Sequence, residues 1–393
     1  MLIFYTLNVM KINVKPELLT WARERASLAE DTLAQRLAVT TDQLAEWEST
    51  GQLTFKQLES LAKATYTPFG YLFLSEPPAE QLPIPDFRTV NDSGVARPSP
   101  NLLDTIYAMQ RRQDWMRQTL ESNGAQQLGF VGSTSRNESP YAVAALIRAT
   151  LNLDAGWADQ LRTWADALRT LRDAVESSGV LVVVNGVVGN NTYRKLDVQE
   201  LRGFVLIDQY APLIFVNGSD AKAAQMFTLA HELAHVWTGQ AGVFSLESLQ
   251  PTNHANEAFC NNVAAEFLIP ATDMAESWTE ATTVDEPYQF LARRYKVSPL
   301  VAARRALDLN LITRPEFLAF YEAYAEDERR RKPKGGGGDF FATQGVRIGK
   351  RFGEAVVRAV KEGRLMYGEA YHLTGLRGTT FDKYAEKIGY NMQ

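Results

Sequence analysis

Two of the four histidines in the chain stand four residues apart, at His231 and His235 in the segment FTLAHELAHVWTG. Residues with this spacing share one face of an α-helix, so the two imidazoles can bind one metal ion. Glu232 follows His231 directly, where its carboxylate can accept a proton from a water molecule beside that metal ion. The pattern His-Glu-x-x-His is typical of zinc peptidases, and it predicts that Glu232 is the catalytic base.

A catalytic zinc ion requires a third protein ligand and an open position for water. The metzincin pattern would place a histidine at position 241, but this residue is Ala241. Glu257 is the leading candidate because it opens the helical segment EAFCNNVAAEFLIP downstream of the motif. His254 is the rival, although a surface histidine near a helix start accounts for it better. Cys260 lies one turn beyond Glu257 and is expected to be a buried, inert cysteine.

The segments around the motif predict an α+β, mostly helical protein. Apolar residues recur at helical spacing through the motif segment, so both histidines are expected to lie on a helix. Short β-branched runs at 180–184, 203–207 and 212–216 predict a small sheet of about three strands. The runs before and after this region have helical periodicity, and residues 16–75 contain five short helices with a helix-turn-helix at their centre.

Composition and breaker residues divide the chain into six segments. These are a helix-turn-helix domain at 11–75, a proline-rich linker at 76–100, a metallopeptidase domain at 101–285, a helical extension at 286–334, a glycine linker at 335–338 and a basic helical C-terminal module at 339–393. Met10 opens a segment typical of a natural start, so residues 1–9 are expected to be an upstream extension. The single cysteine excludes an internal disulfide, and no segment is typical of a signal peptide or membrane span, so a cytoplasmic protein is expected.

Charge is distributed unevenly along the chain, although the formal net charge is only −5. From Arg329 to the end there are fourteen basic and six acidic residues, while the rest of the chain has 27 basic and 40 acidic residues. An anionic partner is therefore expected at the C-terminal end. Four residues there could supply positive charge to such a partner: Arg347, Lys350, Arg351 and Arg358.

The second helix of the helix-turn-helix, TTDQLAEWEST, offers Thr40, Thr41 and Gln43 as candidate contacts to DNA bases. It contains no lysine or arginine, and residues 11–75 hold seven basic against eight acidic side chains. Phosphate neutralisation usually contributes much of the affinity for DNA. Binding to operator DNA and a role in protein recognition or dimerisation therefore both remain open for this domain.

The segment PLIFVNGSDAKAAQMFTLAHELAHVW, followed by NEAFCNNVAAEFLIP, resembles the ImmA/IrrE zinc metallopeptidases. The resemblance implies that His231, His235 and Glu257 bind zinc and that Glu232 is the catalytic base. The front helices resemble the Xre, lambda-repressor-like helix-turn-helix family, as in the longer ImmA/IrrE proteins with a basic C-terminal module. Cys260 and Val263 replace the usual alanine and phenylalanine of the family, and neither is expected to touch a proposed ligand.

The resemblance implies two functions of different classes. One is a regulatory metalloendopeptidase that cleaves a specific partner, such as a repressor, and so controls transcription. The alternative is an Xre-type antitoxin and transcriptional repressor that neutralises a PIN-type ribonuclease toxin, with a structural or vestigial zinc site. Operator DNA and a second copy of the chain are further candidate partners. Tyr193 and Tyr210 are candidates for stabilising the oxyanion only because they are near the motif in sequence.

Overall fold

The computed structural model of the chain describes residues 11–80, 98–240, 243–244, 255–326 and 340–390. These residues are mostly helical and include small sheets. They form two compact units, which divide between Ile106 and Tyr107 within one helix. None of the described helices is long and apolar enough to cross a membrane.

The first unit is a bundle of short helices around leucine and tryptophan side chains. Its elements are strand β1 (Lys11–Asn13), helices α1 (Pro16–Arg25), α2 (Glu30–Leu37) and α3 (Thr41–Thr50), strand β2 (Gln52–Thr54), helix α4 (Phe55–Ala64) and a 3-10 helix at Phe69–Phe73. The five helical segments lie where the periodicity predicts them, and the β1–β2 pair is an addition. The assignment of this bundle to the Xre family remains a prediction.

The turn between α2 and α3 is tight because Ala38 adopts a left-handed backbone conformation with φ of 54°. Helix α3 then begins with a capping box, in which the side chains of Thr40 and Gln43 each accept a hydrogen bond from the other residue's backbone N–H. It ends at Gly51, whose φ is 68°. A Cβ at Gly51 would lie 2.0 Å from the carbonyl oxygen of Val14, so only glycine fits there.

The second unit combines a sheet with surrounding helices, and α5 (Pro100–Ser122) runs from the first unit into it. Its strands are β3 (Leu181–Asn185), β4 (Val187–Val188), β5 (Asn191–Lys195), β6 (Gly203–Leu206), β7 (Leu213–Asn217) and β8 (Val243–Phe244). Its other helices are α6 (Pro140–Leu151), α7 (Trp164–Ser177), α8 (Lys222–Thr238), α9 (Ala255–Leu268), α10 (Ala271–Ala281), α11 (Pro287–Tyr295), α12 (Pro299–Asp308), α13 (Arg314–Glu326), α14 (Phe340–Ile348), α15 (Lys350–Lys361), α16 (Tyr367–Thr374) and α17 (Thr379–Lys387).

The main sheet has the strand order β3-β7-β6-β8, with β3 parallel to β7 and β6 antiparallel to both neighbours. The three predicted strands are confirmed as β3, β6 and β7, but the prediction of about three strands was too low. Strand β8 pairs over only two residues, which is too short to give a pattern. Strand β5, in the separate β4–β5 hairpin, is polar and mostly exposed, so no apolar run marks it.

Helix α8 lies at the centre of the second unit and carries the histidine motif. It packs against β6 and β7 of the sheet and against α6, α7 and α9. Every residue from Gln225 to Trp237 is buried. Apolar residues such as Leu229 and Leu233 join the same core as Val205 and Ile214 of the sheet. The motif is thus fixed on a rigid helix in a tightly packed interior.

The C-terminal helices α14 to α17 belong to the same compact unit as the sheet, and α14 packs against β3. The buried guanidinium of Arg112 donates to the carbonyl oxygens of Leu373 at 2.9 Å and Arg347 at 3.0 Å. Burial lowers the pKa of Arg112 to about 10, so it remains charged at neutral pH. The boundaries of the six segments proposed from sequence remain predictions.

A buried carboxylate links α7 to the start of α15. Oε1 of Glu176 accepts the backbone N–H of Arg351 at 3.1 Å, and its Oε2 has no hydrogen-bond partner among the described residues. Burial raises the pKa of Glu176 from 4.5 to about 7, and the Arg351 backbone hydrogen bond opposes this only in part. The folded protein therefore keeps a proton at pH values where the unfolded chain has released it.

Replacing Glu176 by glutamine is expected to stabilise the protein at pH 8 and to leave it unchanged below about pH 4. The protonated carboxyl of Glu176 makes its full contribution to the free energy of unfolding below the pKa that the group has in the unfolded chain. This contribution is lost as the pH rises through the pKa of the folded state, and the loss amounts to up to about 3 kcal/mol. Glutamine can still accept the Arg351 N–H and has no charge to lose. Thermal unfolding of both proteins at pH 4 and pH 8 measures the difference, with the exposed Glu121→Gln as control. Equal pH dependence in wild type and Glu176→Gln would contradict this assignment.

Candidate metal centre

The two motif histidines lie side by side on α8, 0% and 2% exposed for His231 and His235. Their Nε2 atoms are 3.0 Å apart. Helix α9 brings Glu257 to the same point, with Oε2 3.2 Å from His231 Nε2 and Oε1 3.4 Å from His235 Nε2. Ligand atoms about 2.0–2.1 Å from a tetrahedral zinc ion are separated from one another by about 3.3 Å. The three side chains thus have the spacing of a metal-binding triad.

Hydrogen bonds from the other ring nitrogens orient both imidazoles. His231 Nδ1 lies 2.9 Å from Asn261 Oδ1, and His235 Nδ1 lies 3.1 Å from the carbonyl oxygen of Gln240. Both oxygens can accept a hydrogen bond from Nδ1, so Nε2 is the atom of each ring that would bind a metal ion. Without a metal ion, protons between the Nε2 atoms and the Glu257 carboxylate hold the three groups together, and a divalent cation can replace those protons. These residues therefore fit a divalent metal ion.

The position of the Gln240 carbonyl depends on the end of helix α8. Gly239 ends the helix with φ of 69°, which turns the chain back toward His235. A Cβ at Gly239 would lie 2.9 Å from Cα of Gly132, whose backbone N–H donates to the carbonyl oxygen of Val236. Glycine at this position permits both the turn and the close approach of the neighbouring segment.

Glu232 lies completely inside the protein, and neither carboxylate oxygen has a hydrogen-bond partner among the described residues. Burial raises its pKa to about 8. Its neighbour on the sheet is Gly203 of β6, where a Cβ would lie 2.4 Å from Thr228 Cγ2 and 3.3 Å from Glu232 Oε1. Glycine in the strand therefore lets α8 approach the sheet closely. A divalent cation at the triad would stabilise the charged form of Glu232.

The protonation of the triad reflects burial and close partners. Burial lowers the pKa of His231. Burial also opposes the charged form of His235, but Cys260, Glu257 and Glu232 raise its pKa above the ordinary value. Burial would raise the pKa of Glu257, but hydrogen bonds from both histidines hold it well below its usual range.

Cys260 is buried, as predicted, and it lies close enough to His235 to raise the pKa of that imidazole. The helical period places Cys260 three residues after Glu257, on the side of α9 that packs against α8.

The other candidates have different positions. The rival ligand His254 lies outside the described residues. Tyr193 is 92% exposed on β5, and Tyr210 lies in the turn before β7. The sequence analysis gave no role to Asn261, Gly203 or the Gln240 carbonyl. The four-residue spacing from Glu257 to Asn261 was the available signal for the first of these.

Thr40, Thr41 and Gln43 are all exposed at the start of α3. The capping box occupies Thr40 Oγ1 and Gln43 Oε1, at 3.2 Å each, so these oxygens are engaged in capping the N-terminus of the helix. The same helix exposes Asp42 and Glu46. Among the basic candidates near the C-terminus, Lys350 and Arg358 are exposed, while Arg347 and Arg351 are partly buried.

Replacing Asn261 by alanine is expected to weaken metal binding about 10- to 100-fold, the usual effect of losing an outer-shell partner of a ligand histidine. The imidazole of His231 would lose the acceptor that fixes its tautomer and ring orientation. Competition with a chromophoric chelator measures the affinity. The exposed neighbour Asn262 provides a matched control as Asn262→Ala, which should bind metal like the wild type. Unchanged affinity in Asn261→Ala would show that the hydrogen bond does not orient the ligand.

Comparison with protein families gives two matches along the second unit. Residues 176–307 match the Peptidase_M78 family, described as the IrrE N-terminal-like domain. This range includes the main sheet and helices α8 and α9, so this part of the chain is similar to the IrrE/ImmA-like metallopeptidases, which are typically metal-dependent. Residues 348–387 match a domain of unknown function, DUF8813. No curated protein matches the chain.

Proposed function

We propose that this protein is a zinc-dependent metalloendopeptidase that cleaves a specific protein partner and thereby controls transcription. The observation that carries the proposal is the buried carboxylate of Glu232, without a hydrogen-bond partner among the described residues, on the helix that presents His231 and His235. A metal site with only a structural role does not require a carboxylate beside its ligands. Burial of a carboxylate without a hydrogen-bond partner lowers the stability of the fold, so a catalytic role accounts better for Glu232. The similarity of residues 176–307 to metallopeptidases supports the same function.

His231, His235 and Glu257 would hold the zinc ion. Zinc supplies Lewis acidity, which activates water and polarises the peptide carbonyl. Glu232 accepts the proton of the attacking water molecule and then donates it to the leaving amine. Asn261 and the Gln240 carbonyl keep both imidazoles in the orientation that directs Nε2 to the metal. The packed core around α8 holds these side chains in fixed positions.

The helical bundle at the N-terminus would bring the partner to the peptidase. The exposed side of α3 supports recognition of a protein more than of DNA, because it carries Asp42 and Glu46 and no basic residue. Arg23, which could have contacted phosphate, is bound to Glu48 at 2.7 Å. Repression of an operator by this bundle, as the antitoxin alternative requires, would lack the usual phosphate contacts.

Cleavage of the natural partner tests the proposal. The protein encoded by the neighbouring gene is incubated with the zinc-loaded chain, with the chelator-treated chain, and with the treated chain after zinc is restored. We expect one discrete fragment in the first and third mixtures and intact partner in the second. A partner that binds stoichiometrically and remains intact in all three mixtures, under conditions that induce the system, would support the antitoxin alternative. A generic substrate such as casein is not informative for a peptidase with few targets.

A further inference from the structure

A cavity of about 480 Å³ opens in the second unit, lined by none of the residues of the metal centre. It lies between the β4–β5 hairpin, helix α14 and the segment that joins α16 to α17. Its lining residues are Asn190, Thr192, Thr343, Gln344, Arg347, Gly375, Leu376, Arg377 and Thr380. Seven of these nine residues have polar side chains, which is unusual for a site that would bind an apolar ligand.

The cavity is positively charged. Arg347 and Arg377 line it, and none of the lining residues is acidic. Burial lowers the pKa of Arg347, and no nearby carboxylate contributes to that shift. Thr380 is in the first turn of α17, a helix whose N-terminus has no side-chain cap. Two guanidinium groups beside the positive end of a helix dipole favour an anion.

Backbone acceptors at the edge of the cavity are already used. Helix α16 ends here, and its last carbonyl groups would repel an anion if they faced the cavity. Arg112 donates to the Leu373 carbonyl at 2.9 Å, and Asn190 Nδ2 donates to the Gly375 carbonyl at 3.1 Å. These backbone oxygens therefore do not oppose an anion near the guanidinium groups of Arg347 and Arg377.

Gln344 favours a ligand that also donates a hydrogen bond. Its side chain is 1% exposed, and its Oε1 has no hydrogen-bond partner among the described residues. A buried acceptor of this kind is stabilised when a ligand supplies a hydroxyl or amino hydrogen. The ligand should thus combine an anionic group with hydrogen-bond donors.

We propose that this cavity binds a small hydroxylated organic phosphate, namely a sugar phosphate either free or as part of a mononucleotide. The volume is in the range of sites for ligands of this size. The phosphate would meet Arg347 and Arg377, and a sugar hydroxyl would donate to Gln344. The bound ligand would join the β4–β5 hairpin to the C-terminal helices. This site is independent of the proposed peptidase activity.

Binding to the full-length protein tests the proposal with four probes: ribose 5-phosphate, adenosine 5′-monophosphate, inorganic phosphate and ribose. We expect ribose 5-phosphate to raise the unfolding temperature by about 5 °C at a hundredfold excess over its Kd. Inorganic phosphate should bind more weakly because it leaves Gln344 without a donor, and ribose should not bind. Tighter binding of the nucleotide than of ribose 5-phosphate would identify a nucleotide as the ligand, and the reverse order a free sugar phosphate.

Variants separate the two parts of the site. Arg377→Gln should weaken binding of both phosphates about 10- to 100-fold, the effect of losing a charge-assisted hydrogen bond. Gln344→Leu should remove the preference for ribose 5-phosphate over inorganic phosphate without abolishing phosphate binding. Arg358→Gln removes the same charge from α15, outside the cavity. It should change neither the affinity for the phosphates nor the preference for ribose 5-phosphate. The proposal is overturned if no phosphate compound binds at millimolar concentration or if Arg377→Gln binds these compounds like the wild type.

Discussion

Replacing Glu232 by glutamine is expected to reduce cleavage of the partner by about a hundred- to ten-thousandfold while zinc content and partner binding persist. Glutamine has nearly the same size and leaves His231, His235 and Glu257 in place, but it cannot take the proton of the attacking water molecule. General base catalysis typically contributes a factor of this magnitude. The measurement is the rate of fragment formation at saturating zinc, together with the metal content of the purified variant.

Two controls make this result specific. Glu276→Gln makes the same chemical change at an exposed position of α10 and should cleave like the wild type. The stability of Glu232→Gln should not fall below that of the wild type, because a neutral amide costs less to bury than a carboxylate without a partner. Wild-type cleavage by Glu232→Gln would remove Glu232 from the mechanism. Equal biological function of both proteins, with intact partner, would favour the antitoxin alternative.

Replacing His231 by alanine is expected to lower metal content from about one ion per chain to almost none. The variant loses one of three ligand atoms, and the effect on affinity should exceed the roughly 100-fold loss typical of an outer-shell partner. A metal ion that binds only the folded protein stabilises it, so chelation should also lower the unfolding temperature of the wild type by several degrees. The unfolding temperature of His231→Ala should not respond to chelator.

Elemental analysis of the purified proteins decides this prediction, with the exposed His372→Ala as the matched control. The His372→Ala variant should retain full metal content. His254→Ala and Glu257→Gln complete the series, since His254 was the alternative third ligand. Loss of metal in His254→Ala with retention in Glu257→Gln would reverse the assignment of the third ligand. Full metal content in His231→Ala would exclude this centre altogether.

The sequence by itself determined the features that depend on local periodicity. The helical repeat alone places His231 and His235 on one face, and β-branched runs alone mark strands β3, β6 and β7. Gly51 at the end of α3 and the tight turn before that helix are local features as well. Such patterns are readable because neighbouring residues in one element have a fixed geometric relation whatever the rest of the chain does.

Only the tertiary structure decided which side chains from different elements meet. Glu257 lies 26 positions after His231, and the sequence could nominate it but could not place its oxygens 3.2 and 3.4 Å from the two imidazoles. The proximity of Cys260 to His235, the Glu232 carboxylate without a partner among the described residues and the close approach of Gly203 follow from the packing of α8 against α9 and the sheet. The cavity joins residues about 150 positions apart. These contacts depend on how whole helices and strands pack, and no local pattern of residue types encodes that arrangement.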